Sequence, residues 1–75
     1  MNAELFRATL AKYQSLRHIN TLEQLRAHTS CGSSTTFRKW IKDPKRIPLG
    51  EWENLMNALK VPKAERIEIL LAEEK

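Results

Sequence analysis

Residues 33–46 read Ser33-Ser34-Thr35-Thr36-Phe37-Arg38-Lys39-Trp40-Ile41-Lys42-Asp43-Pro44-Lys45-Arg46. Five cations stand against one carboxylate here, a local charge of +4 that equals the net charge of the whole 75-residue chain. The other 61 residues carry eight basic and eight acidic side chains and cancel. Small polar residues at the front, apolar residues at Phe37, Trp40 and Ile41, and a stop at Asp43-Pro44 predict a short helix, Ser34–Lys42. The residue before a proline avoids the helical region, so the chain leaves the helix there and enters a basic loop. Closely spaced cations bind polyanions chiefly by displacing condensed counterions, so this segment suits a phosphate backbone.

Upstream, Thr29-Ser30-Cys31-Gly32-Ser33 reads as a turn, with Gly32 free to take positive φ and Ser33 placed to cap the next helix. Before it, Asn20-Thr21 offers a cap, and Leu22 and Leu25 begin a helix that is predicted to run to His28. Residues 3–17 form a further helix whose apolar stripe is Phe6, Leu10, Tyr13 and Leu16. Downstream, Pro48 opens a fourth helix at no cost in hydrogen bonds. Its inner stripe is Trp52, Leu55, Met56 and Leu59, and Lys60-Val61-Pro62 ends it. A fifth helix over 63–73 is predicted to turn Ile67, Leu70 and Leu71 inward. Period-two alternation is sustained nowhere. The expected fold is all-α: a compact five-helix bundle forming one domain, residues 1–75.

Composition narrows the function. A chain this short buries only about 60% of its unfolded surface, so economical helix packing or dimerisation is expected. Its hydrophobic content of 41% supports a core. One cysteine, Cys31, excludes an internal disulfide and fits a reducing cytosol. No apolar run reaches the roughly 18 residues of a membrane span, and no signal-peptide core is seen. His18, His28 and Cys31 fall short of the four ligands of a structural zinc site, so no metal is expected. Neither a phosphate-cradling glycine loop nor a nucleophile-base grouping is visible, so the chain is not expected to be an enzyme or to carry a cofactor. Trp40 and Trp52 read as core residues tying the third helix to the fourth. The competing reading, an exposed Trp stacking on bases, lacks the strand platform of single-strand binders.

The order of parts resembles a known family. A second helix, a Gly-containing turn, a polar-started third helix, a basic loop and a helix led by Pro48-Leu49 resemble the helix-turn-helix domain of phage repressors and Cro proteins, the lambda-repressor-like family. Thr35-Thr36-Phe37-Arg38-Lys39-Trp40-Ile41-Lys42-Asp43-Pro44 looks like the recognition helix and following loop of small prophage-encoded members. Residues 49–61, ending Ala58-Leu59-Lys60-Val61, are similar to the family's fourth helix and its exit. The likeness spans residues 5–71, with the helix-turn-helix at 21–42. It departs in three places. Leu25 to Phe37 is one residue longer than the family spacing, Arg26 stands where a small residue is usual, and Leu22 stands where many members place a glutamine that touches phosphate.

The resemblance implies a third helix lying in the major groove of double-stranded DNA. Ser34 and Thr35 at its start and Lys39 one turn on would then face bases, with Arg38 on the flank. Ser33, Lys42, Lys45 and Arg46 would hold phosphates. The chemistry is compatible: Ser and Thr donate or accept, and Lys donates to guanine O6 and N7. Each residue also has a plainer role, helix capping for Ser34 and Thr35, a solvated helix face for Arg38 and Lys39, and the helix dipole for Lys42. The expected protein is a sequence-specific transcriptional regulator in the cytoplasm, associated with the nucleoid. It would act as a repressor and bind a pseudo-palindromic operator as a homodimer. Two alternatives compete. One is an antirepressor-like module on the same fold that docks on a partner regulator, with Glu65, Glu68, Glu73 and Glu74 as its contact surface. The other is an RNA binder, which has the charge but lacks a stacking platform.

Overall fold

The computed structural model describes residues 1–72. They form α1 (Ala3–Leu16), α2 (Leu22–Arg26), α3 (Ser34–Lys42), a 3₁₀ turn at Pro44–Arg46, α4 (Leu49–Leu59) and α5 (Lys63–Leu71). The fold is all-α with five helices, and no strand occurs among the described residues.

Short polar side chains start three of these helices. Asn2 Oδ1 accepts from Leu5 N–H at 2.9 Å to open α1, and Ser33 Oγ accepts from Thr36 N–H at 3.3 Å to open α3. At α2, Thr21 Oγ1 accepts from Gln24 N–H at 3.1 Å while Gln24 Oε1 accepts from Thr21 N–H at 3.3 Å, a reciprocal capping box. Pro48 and Pro62 precede α4 and α5 in extended conformation, and their carbonyls accept the first helical bonds. α1 and α4 end alike. His18 (φ 59°) and Lys60 (φ 53°) turn left-handed, and the next amides reach back to Gln14 O (2.9 Å) and Met56 O (3.0 Å).

α2 is shorter than predicted, ending at Arg26 rather than His28. The Thr29 amide and hydroxyl both donate to Arg26 O, at 2.9 and 2.8 Å, and this local bonding displaces continuation of the helix. α1 and α5 also stop early, at Leu16 and Leu71; residue 73, the predicted end of the last helix, lies outside the described residues.

Phe6 and Leu10 of α1, Leu25 of α2, Phe37 of α3 and Leu55 and Met56 of α4 meet in one core, which Ile69 of α5 closes. Phe6 and Trp52 stack with ring centroids 5.3 Å apart, joining α1 to α4. Trp40 differs from expectation. It is half-buried against the edge of the core, and its ring partner is Phe37, at 6.2 Å.

The apolar reading of α5 is corrected. Ile69 is fully buried, while Ile67, Leu70 and Leu71 are 54%, 43% and 76% exposed. Polar anchors set the rotation of this helix. Arg66 donates to Val61 O (2.7 Å), Met56 O (3.2 Å) and Asn57 Oδ1 (3.1 Å). Glu65 accepts from Tyr13 Oη–H and from Lys12 Nζ. Residues 65 and 66 share a face with 69, so Ile69 turns inward and the leucines turn out. Leu16, expected in the α1 stripe, is 56% exposed. The polar contact of Arg17 Nε with Leu59 O, at 2.9 Å, secures that end of α1 instead.

Candidate nucleic-acid interface

α3 presents its apolar side, Phe37 with Trp40 and Ile41, to the core. At about 100° per residue, Thr35, Lys39 and Lys42 lie opposite Phe37, and all three are exposed. Arg38 is exposed on the flank next to α2. Lys45 and Arg46 follow on the 3₁₀ turn, both exposed. Asp43, the only acid of the segment, accepts from Arg46 Nε at 3.1 Å, and the two form an ion pair. Arg46 is thus partly neutralised before it meets any ligand.

The two serines at the front of α3 have different duties. Ser33 is the cap. Ser34, half-buried, donates its hydroxyl hydrogen to Glu23 Oε1 at 2.6 Å. The capping alternative weighed for Ser34 and Thr35 therefore belongs to Ser33.

A side-chain chain binds α2 to α3 across the seven-residue connection 27–33. Arg26 donates through Nε and Nη2 to Glu23 Oε2, at 3.1 and 2.7 Å, and through Nη1 to Cys31 O at 2.9 Å. Glu23 then accepts from Ser34. The Arg26 contact, then that of Ser34, and then the Arg26 and Arg38 charges hold the Glu23 carboxyl below its usual range. On the other side, Ser30 N–H donates to Glu51 Oε2 at 2.6 Å, linking the turn to α4. Gly32 does not take positive φ, and a Cβ there would meet nothing within 4 Å. Side-chain bonds set this turn, and the glycine is not needed for its backbone.

The C-terminal end of α3 is held from α1. Arg7 Nη1 donates to Ile41 O at 3.3 Å and to Lys42 O at 3.1 Å, satisfying carbonyls that a helix end leaves open and placing a cation at the negative end of its dipole. Sequence spacing does not reveal Arg7, which lies 34 and 35 residues from its partners. Glu23 looks in sequence like an ordinary first-turn acid. Arg26 stands out only as a departure from the family pattern.

Of the acids that could form a protein-docking surface, Glu65 is engaged by Tyr13 and Lys12. Glu68 is exposed, and Glu73 and Glu74 lie outside the described residues. Among the described residues, no three His, Cys, Asp or Glu side chains group to hold a metal ion, and no helix is long and apolar enough to cross a membrane. No protein-family model, curated protein or solved structure matches the chain.

Proposed function

We propose that this chain is a sequence-specific regulator that binds double-stranded DNA in the manner of Cro and phage repressors, with a lambda-repressor-like fold and α3 as its recognition helix. The observation that carries this reading is the outer face of α3 with its loop. Thr35, Arg38, Lys39, Lys42, Lys45 and Arg46 are all exposed there, and the one nearby acid of the segment is paired. A helix of nine residues is about 13 Å long, comparable with the roughly 12 Å width of the major groove. Lys39 and Arg38 supply donors to base edges, and Lys42 and Lys45 supply positive charge for the backbone. Ser33 accepts from Thr36 N–H as the helix cap, so its phosphate contact would come from its hydroxyl hydrogen or its backbone N–H, both donors.

One short helix reads too few bases to select a site in a genome, so two copies act on a pseudo-palindromic operator and repress by excluding polymerase. The exposed Ile67, Leu70 and Leu71 supply an apolar stripe for the second copy.

Selection from random duplexes at about 150 mM salt tests the proposal. Enrichment of an inverted repeat with half-sites about 10 base pairs apart is the expected result. Flat enrichment would overturn it and leave the docking module, for which charge reversal at Glu68 is the next test.

A further inference from the structure

The front edge of α3 has a fixed hydrogen-bonding polarity. A carboxylate only accepts, so the 2.6 Å contact commits the single hydroxyl hydrogen of Ser34 to Glu23. Toward a ligand Ser34 then offers only lone pairs. Glu23 has about four acceptor positions. Arg26 takes two at Oε2 and Ser34 takes one at Oε1. What remains is a further acceptor on a side chain that is 53% exposed. The Glu23–Ser34 side-chain pair therefore shows acceptors alone, with the Arg38 charge close enough to act on the Glu23 carboxyl.

In the major groove, guanine and thymine turn O6, N7 or O4 outward, all acceptors, and such a pair repels them. Cytosine and adenine offer an amino group. Adenine sets its N7 lone pair beside that amino group, where it would face the carboxylate, whereas cytosine has no ring acceptor in the groove. We propose that Glu23 and Ser34 together select a cytosine in each half-site, with Arg38 donating to O6 and N7 of its paired guanine. This rests on the DNA-binding reading above and goes beyond it, because it assigns Glu23 a specificity role and gives Ser34 an acceptor role only. Lys39, one turn on, reads an acceptor edge, so the polarity of the half-site runs from donor base to acceptor base.

The test compares duplex selections by the wild type, S34A and E23Q, with a thermal melt of each. The wild type should retain cytosine at one position per half-site. S34A keeps the Arg26–Glu23 pair and should weaken that preference about fivefold or more, leaving other positions unchanged. E23Q presents a donor and an acceptor side by side and should move the preference to adenine, which binds such an amide at N6 and N7. A purely bracing Glu23 would lower affinity for all duplexes and move no base preference. An enriched operator without that cytosine, or an S34A profile identical to wild type, overturns the inference and leaves the regulator standing; S34A decides this even if E23Q fails to fold. Flat enrichment by the wild type overturns both.

Discussion

Arg26 makes three hydrogen bonds, two to Glu23 within α2 and one to the turn before α3, and its removal should show what they are worth. Arg26→Ala frees Cys31 O and leaves Glu23 with Ser34 alone. A charge-assisted hydrogen bond is weakened by nearby water, so Arg26→Ala should lower the urea unfolding midpoint modestly, without changing the slope of the transition. Arg26→Lys should recover little, because an ammonium cannot span Glu23 and the Cys31 carbonyl together. The ionisable contacts also set pH limits. Glu65 is held below its ordinary range by the Tyr13 hydrogen bond and then by Lys12, and Glu23 is lowered by Arg26 and Ser34. A carboxyl with a depressed folded pKa contributes stability above its unfolded value, near pH 4, and loses it as pH falls further. Tyr13 and Lys12 are raised, in both cases chiefly by the hydrogen bond to Glu65. Their contribution is present below about pH 10 and fades as pH rises through the folded values. Thermal melts across pH should therefore fall off at both ends, and Glu65→Gln should flatten both limbs. The caps Thr21 and Ser33 were legible in sequence because their partners lie three residues away. Tyr13 and Glu65, 52 residues apart, were not, because only the folded chain brings them together.

At the level of elements, α3 was legible at both ends, because its cap and its Asp-Pro stop are local signals. α5 was legible as a helix but not in its rotation. Its apolar residues 67, 70 and 71 cluster on one side and outvote 69, so the pattern pointed to the wrong face, and Arg66 and Glu65 decided the rotation instead. The length of α2 was missed for a similar reason: Thr29 competes for the Arg26 carbonyl at a point where propensity permits either outcome. The exit of α4 offers a clean measurement. Lys60 sits at φ 53°, a conformation that costs a residue with a Cβ roughly 1 kcal/mol. Lys60→Gly should therefore raise unfolding stability by about 0.5–1 kcal/mol. Its side chain is exposed and removing it opens no cavity. A loss of stability in chemical denaturation would show that the lysine contributes something beyond its backbone.

For the molecule as a whole, the charge asymmetry was readable in the sequence, and folding preserves it. The basic segment stays on one exposed run of helix and turn, and Arg7 from α1 adds a cation at its far end. A DNA-binding surface built this way should lose affinity with salt at a logarithmic slope of about −0.9 per phosphate neutralised. Lys45→Ala should make that slope shallower and weaken all duplexes alike, whereas Lys39→Ala should relax choice at one base position. Identical effects from the two variants would remove the division of labour between them. The placement of the tryptophans gives this single small body two optical reporters. Trp52 is 5% exposed and stacked on Phe6, so its emission should be blue-shifted, protected from iodide and altered only when α1 and α4 part. Trp40 lies half-open on the inner flank of α3, facing the 30–33 turn and Glu51, so iodide should quench it and its emission should change when that turn loosens. Fluorescence of the unlabelled protein, with Trp40→Phe as the control, can thus follow loosening of the α2–α3 turn and parting of α1 from α4 as separate signals in one denaturant titration.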